Sequence, residues 1–371
     1  MKKNNYEIRN TLGMFDFLKG SIMLIVMLSH TSGLFDFMQG QETLIGNYNP
    51  LVLVLYIFTY ILGVASMPIM FILSGYGFRK TTLKKCLKKQ CKTLLIPYIV
   101  SMFLVAIVKF FFLCFVTRNI HSSLEEASRS FINILLGYSA ASPNWFLLAL
   151  IIGNLIFNQL LNLLEGKKLL LVVLMIACAG WYLSLGRPVP FCLSQGFIAT
   201  LYIYVGYFSK KKKFFVTNNT LRKKVLIILG TFLFSMVLKG FGDDLNMAHC
   251  VYTLGPISII GNIIISMGYI YIFLLLNRFN SFLITQIRRI GRYSFYVLCI
   301  HSIELKSFGE IIQDRFVQNW TGSLLLRNLI QFGVRAVAVI LATYTFVKFK
   351  RKIMVRIPKF NKPILQKEHK A

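Results

Sequence analysis

Residues 15–38 read FDFLKGSIMLIVMLSHTSGLFDFM. Seven consecutive apolar residues, Ile22 to Leu28, separate Ser21 from Ser29. A helix that crosses hydrocarbon needs about 20 mostly apolar residues, and this stretch is long enough. Nine more stretches of the same kind follow, near 51–78, 93–117, 144–164, 168–186, 191–208, 223–240, 252–276, 289–311 and 323–348. The chain has 371 residues, 56% hydrophobic and 15% charged, with mean hydropathy +0.64. A soluble core has no room for that much apolar surface, so a soluble domain is excluded. The sequence predicts an all-α polytopic membrane protein of about ten transmembrane helices, in one membrane domain covering 1–371. No small-residue cleavage site follows the first run, so no cleavable signal peptide is expected.

The loops between these stretches alternate in charge. The start of the chain carries Lys2, Lys3 and Arg9, whereas the first loop has Asp36 and Glu42. The second loop is basic from Arg79 to Lys92, the fourth has Lys167 and Lys168, and the sixth runs Lys210 to Lys213. Arg278, Arg288 and Arg289 mark the eighth, and the tail is basic from Lys348. The odd loops are acidic or mixed, with Asp243 and Asp244 in the seventh and Arg118 and Arg129 against Glu125 and Glu126 in the third, except that the fifth holds only Arg187. Basic segments stay on the cytoplasmic side. Both termini are therefore expected to be cytoplasmic, and an even number of spans agrees by putting them on one side. The net charge of +29 reflects this topology and attraction to anionic lipid. Nucleic acid is not the expected partner, because the bases are scattered over loops without a recognisable binding domain.

The seven cysteines form no framework. Cys192 and Cys250 fall near the outer face, and spacing alone does not assign a pairing. No CxxC, HExxH or carboxylate cluster indicates a metal site. Nothing in the sequence assigns an oligomeric state.

Ionisable groups inside a bilayer are costly and usually face the bundle interior. In the first span, Lys19 and His30 are eleven residues apart. At about 100° per residue they share one helix face, with Asp16 on the same stripe. His30 sits about 16 Å above Lys19, past the midplane toward the outside. Two readings of Lys19 stay open: a functional group, or a lysine snorkelling to the headgroups. Asp16 suits an i, i+3 pair with Lys19. His30 is the least easily dismissed, though a hydrogen-bonded packing histidine is the alternative.

Further along, Pro68 loosens the second span. Ser74, Gly75 and Gly77 lie at its cytoplasmic end, where small residues admit either a thin ligand or a neighbouring helix. Tyr76 lies among them. The segment Lys84–Lys92 forms a cationic cytoplasmic mouth suited to a phosphorylated ligand. On the outer side, Asn144 and Trp145 open the fourth span, where a Trp is either an interface anchor or a stacking surface. In the ninth, His301 lies nine residues beyond Arg292, about 14 Å higher. That depth is close to His30's, so the two imidazoles are expected to be able to share a cavity.

Taken together, these residues resemble the acyltransferase 3 family of integral membrane acyltransferases, particularly members similar to fucose 4-O-acetylase. The resemblance covers nearly the whole chain. It rests on Asp16-x-x-Lys19-Gly20, on the Lys19-x10-His30 spacing, and on Pro68 to Phe78 with its Ser-Gly-Tyr. It continues in Lys89-x-x-Lys92 ahead of Pro97-Tyr98, in Asn144-Trp145-Phe146, and in Gly291, Ser294, Tyr296 and His301. Lysine stands where the family carries Arg-x-x-Arg and lacks the bidentate fork. Lys85 and Lys88 repeat the same spacing. No esterase-like domain is expected alongside the membrane domain.

The resemblance implies an O-acyltransferase that moves acetyl from cytoplasmic acetyl-CoA, its co-substrate, to a hydroxyl of a cell-envelope or exported glycan or its lipid-linked precursor. It implies catalytic roles for His30, Lys19 and Asp16. Donor contacts are expected at Ser74, Gly75, Tyr76, Lys89 and Lys92, and acceptor-side contacts at Asn144, Trp145 and His301. No metal is implied, and the expected location is a bacterial plasma membrane. The alternative is an exporter or flippase for a polysaccharide or lipid-linked glycan, which a bundle with polar residues at depth also suits.

Overall fold

A backbone in hydrocarbon must satisfy its own N–H and C=O groups, so apolar stretches of this length fold as helices. The computed structural model describes residues 13–31, 50–138, 142–186, 189–216, 220–242, 245–322 and 324–356. The N-terminal bases, Asp36, Glu42, Arg187, Asp243, Asp244 and the tail beyond 356 lie outside the described residues. Six described helical segments are long and apolar enough to cross a membrane: Leu83–Thr117, Trp145–Leu163, Gly166–Ser184, Pro190–Lys211, Pro256–Leu276 and Leu326–Lys350. Leu62–Tyr76 is a shorter apolar helix. The protein is an all-α polytopic membrane protein, apart from one hairpin of two-residue strands.

The helices are α1 (Asp16–Ser29), α2 (Pro50–Tyr76), α3 (Leu83–Gln90), α4 (Ile96–Thr117), α5 (Ile120–Leu135), α6 (Trp145–Leu163) and α7 (Gly166–Ser184). They continue as α8 (Leu193–Lys211), α9 (Leu221–Gly240), α10 (Pro256–Leu276), α11 (Phe282–Arg292), α12 (Ser294–Glu304), α13 (Glu310–Gln318) and α14 (Leu324–Arg356). Strands β1 (Leu245–Asn246) and β2 (Val251–Tyr252) pair antiparallel between α9 and α10.

Four segments differ from the sequence expectation. First, α1 ends at Ser29, and residues 32–38 of the expected span lie outside the described residues. The hydroxyls of Ser29 and Thr31 turn back onto the carbonyls of Val26 (2.8 Å) and Met27 (3.2 Å), local bonds that favour a terminus. Second, the third span begins at Leu83, ten residues early, because α3 runs into α4 through a π turn over Cys91–Leu95. Third, the loop expected after it contains α5. Asn119 caps this helix by accepting from the Ser122 N–H (3.1 Å). It lies on α4, with Lys109 bonded to both Glu126 and Ser130 at 2.7 Å and Phe103 against Phe131.

Fourth, the ninth span is broken. Tyr293 separates α11 from α12, and a π turn over Leu305–Gly309 separates α12 from α13. Arg288, expected as a loop charge, is buried. Its guanidinium donates to Asn277 Oδ1 (2.9 Å), Asn280 Oδ1 (2.9 Å) and the Phe279 carbonyl (2.8 Å), fastening the α10–α11 turn.

Two helix pairs approach to backbone distance. A Cβ on Gly20 would overlap the Ile287 carbonyl, and one on Gly291 the Asp16 carbonyl, so α1 and α11 meet glycine against backbone. Gly75 and Gly206 do the same for α2 and α8, against the Ile203 and Ile72 carbonyls. Small residues permit this approach where no hydrophobic force drives helices together. These contacts set the bundle within which α1 ends.

Candidate active site

Because α1 stops inside the bundle, its last carbonyls have no helical partner. Arg335, near the middle of α14, donates from Nη1 to the backbone carbonyl of His30, the C-cap residue. A cation is favourable at this negative end of the helix. The same guanidinium donates from Nε to Glu304 Oε1 (3.2 Å) and from Nη2 to Gln313 Oε1 (2.9 Å). One side chain thus joins α1, α12, α13 and α14.

Glu304 in turn meets His301, with Oε2 3.2 Å from Nδ1. Arg335 donates to the other carboxylate oxygen, so Glu304 links the guanidinium to Nδ1 of His301. Nε2 of His301 is buried and has no hydrogen-bond partner among the described residues. The His301 ring lies beside that of His30, centroids 5.4 Å apart and planes tilted by 45°. The cluster of two imidazoles, one carboxylate and one guanidinium carries no net charge with neutral rings, which suits a poorly solvated site. The π turn after Glu304 widens the helix there, and a Cβ on Gly309 would overlap Glu304 Oε1.

His30 opens onto a cavity of about 360 Å³. Its walls are His30 and Ser29 of α1, Ser66 and Met67 of α2, and Trp145 at the start of α6. The segment Leu245–His249, which includes β1, closes another side and brings Asn246 and His249 to the cavity. Asn144 stands behind Trp145. Its Nδ2 donates to Ser101 Oγ (2.7 Å), and its N–H to Ser142 Oγ (3.3 Å). Ser142 shares a 2.5 Å hydrogen bond with Ser302, the residue after His301. Asn144 therefore ties α4, α6 and α12 together behind the histidines.

Lys19 and Asp16 do not join this cluster. They sit at the other end of α1, where Asp16 bridges Lys19 (3.0 Å) and Arg292 of α11 (3.2 Å). Gly75 faces the α8 backbone, so the small-residue packing reading holds there. Tyr76 is buried, with ring centroids 5.1 Å from Phe15 and 5.8 Å from Phe215, and Lys210 Nζ lies 6.0 Å from its ring. Ser74 is half-buried. Lys89 and Lys92 are exposed, as are Lys85 and Lys88, around the π turn. Cys192 and Cys250 are both free and buried, and burial pushes the Cys250 thiol up to about 12, which leaves it a thiol rather than a nucleophile.

The sequence model of the acyltransferase domain of the acyltransferase 3 family matches residues 13–347. The chain belongs to that family. It is a membrane acyltransferase. No curated protein and no solved structure matches the chain.

The sequence reading of this acyltransferase missed four parts of its deep cluster: Glu304, Gly309, Gln313 and Arg335. Two left a signal. Glu304 follows His301 by three residues, on the same helix face. Arg335 lies deeper in the last apolar stretch than its other arginine, Arg327. Asn246 and His249 left none, because a loop does not reveal what it folds over.

Proposed function

We propose that the protein transfers an acetyl group from acetyl-CoA to a hydroxyl of a cell-envelope or exported glycan, or its lipid-linked precursor, in a bacterial plasma membrane. The observation that carries this reading is the position of His30, between a buried His–Glu–Arg cluster and a cavity large enough for part of a sugar. The anionic nucleotide end of the donor sits at the lysine-rich face of α3 and the π turn, with Lys89 and Lys92. Ser74 and Tyr76 lie on the donor side. The slim pantetheine arm brings the thioester up to His30. Gly75 is withdrawn from this path, because α8 occupies its open face.

The acceptor enters the cavity, where Trp145 offers an aromatic face and Asn246 and His249 offer polar groups. His30 takes the hydroxyl proton as general base. The hydroxyl oxygen forms a bond to the thioester carbonyl carbon, the C–S bond breaks, and the leaving thiolate receives the proton. Products are the glycan ester and free CoA. Lys19 acts at the cytoplasmic end, held by Asp16, which also holds Arg292; the two bases leave a net positive charge that favours an anionic donor.

The test uses membranes from cells expressing the protein or its His30→Ala form, supplied with radiolabelled acetyl-CoA. The expected result is base-labile label in envelope glycan with the native protein. The variant should incorporate at most about 1% as much while inserting normally, in line with loss of a positioned base. Undiminished labelling by the variant would remove His30 from the chemistry. No labelling by either, with glycan export dependent on the protein, would favour a transporter.

A further inference from the structure

The acyl-transfer reading needs one imidazole, yet the structure pairs two and anchors the second to a buried ion pair. His301 is 1% exposed, and its Nε2 has no hydrogen-bond partner among the described residues. An unpaired acceptor at that depth is costly unless a ligand or a neighbouring group supplies a proton. The nearest ring described is His30, 5.4 Å away centroid to centroid. Glu304, Arg335, Gln313 and Gly309 all converge on holding His301 in this state, and none of them lines the acceptor cavity.

We propose that Glu304, clamped by Arg335, is a positioning residue that fixes His301 as the Nδ1–H tautomer and turns its Nε2 lone pair toward His30, so that the two histidines handle the acceptor's proton as one unit. The inference rests on the acyl-transfer reading for its consequence, though not for its geometry. His30 receives the proton from the hydroxyl at one ring nitrogen. The proton on its other nitrogen passes to His301 Nε2, leaving the charge beside the Glu304 carboxylate. It returns by the same route to the leaving thiolate. No oxidant, metal or further reactant is involved. Arg335 serves both histidines: it orients the carboxylate on His301, and it holds the backbone of His30.

Glu304→Gln gives a signed test. Arg335 is donor-only, so the amide oxygen should turn to it and the amide NH2 to His301. Nδ1 then has to accept, and the proton moves to Nε2. Two measurements on the full-length protein separate the possibilities. The first is 15N NMR of histidine-labelled protein in nanodiscs, with His301 assigned by His301→Gln. The native protein should show Nδ1 protonated and Nε2 bare, Glu304→Gln the reverse, and Glu304→Asp the native pattern. A native His301 protonated at Nε2, or one unaffected by Glu304→Gln, would overturn the proposal.

The second is label transfer from acetyl-CoA. Glu304→Gln should lower kcat by about 10²- to 10⁴-fold, as a wrong tautomer does in hydrolases with an imidazole base, and leave the KM for acetyl-CoA unchanged. Glu304→Asp should recover part of the rate. Native kcat in Glu304→Gln, alongside an inactive His30→Ala, would overturn the inference and leave the acyl-transfer reading standing. The expected tautomers in a protein that transfers nothing from acetyl-CoA would sink that reading and uphold the positioning role of Glu304.

Discussion

The two ends of α1 carry the same kind of grouping, one carboxylate between two bases, in different surroundings. At the lower end Asp16 bridges Lys19 and Arg292, whose side chains are 29% and 50% exposed. At the upper end Glu304 bridges His301 and Arg335, whose side chains are 1% and 7% exposed. Asp16 itself is buried, but both of its bases reach solvent, so these pairs are screened and contribute about 0–1 kcal/mol each. Buried pairs are expensive to assemble, and removing one partner is more costly still. The lower end is held mainly by backbone, through Gly20 and Gly291. The upper end is held by charge and hydrogen bonds, with α1 stopping short so that Arg335 can cap it. Packing thus fixes where α1 enters the bundle, and a polar cluster fixes where it ends.

The largest effect should come from Arg335→Met. It leaves Glu304 buried without its cation and uncaps α1, so stability in detergent should fall by about 3–5 kcal/mol, with loss of activity. The double variant Glu304→Met/Arg335→Met sharpens the point. Replacing a whole buried pair by apolar residues is often neutral or stabilising. Stability should return and transfer should not, in a double-mutant cycle read by denaturant melts and acetyl transfer. Restored activity would show that the cluster serves the fold alone.

At the lower end the order should reverse between packing and charge. Gly291→Val forces a side chain against the Asp16 carbonyl and should cost about 1–3 kcal/mol or more. Asp16→Asn, the smallest effect, should cost less than about 1 kcal/mol, and added salt should erase the difference. An Asp16→Asn variant that unfolds more readily than Gly291→Val would show that charge, not packing, holds the lower end of α1.

Much of this arrangement was legible in the sequence. Ten apolar runs and the loop charges carry the fold class, because hydrocarbon leaves the backbone few choices. Helical rise placed His30 and His301 at one depth, and the structure sets their rings side by side. Contacts made across long separations were not legible. Arg335 meets His30 and Glu304, and nothing near it in sequence announces either partner. Gly75 read equally as a ligand gap or a packing site, and only the position of Ile203 on α8 decided between them. α5 was hidden because its charges balance like those of a loop, although its salt bridge to Lys109 belongs to a packed helix.

In the proposed reaction His30 works between a cytoplasmic donor and an acceptor cavity on the opposite side. Sealed vesicles of known orientation test it most directly, with radiolabelled acetyl-CoA supplied only to the outer solution. Inside-out vesicles, which present the lysine-rich face of α3, should place base-labile label on glycan in their lumen. Right-side-out vesicles should place none, and His30→Ala should abolish the labelling by inside-out vesicles. Labelling only from the right-side-out face, or labelling that survives His30→Ala, would contradict the account.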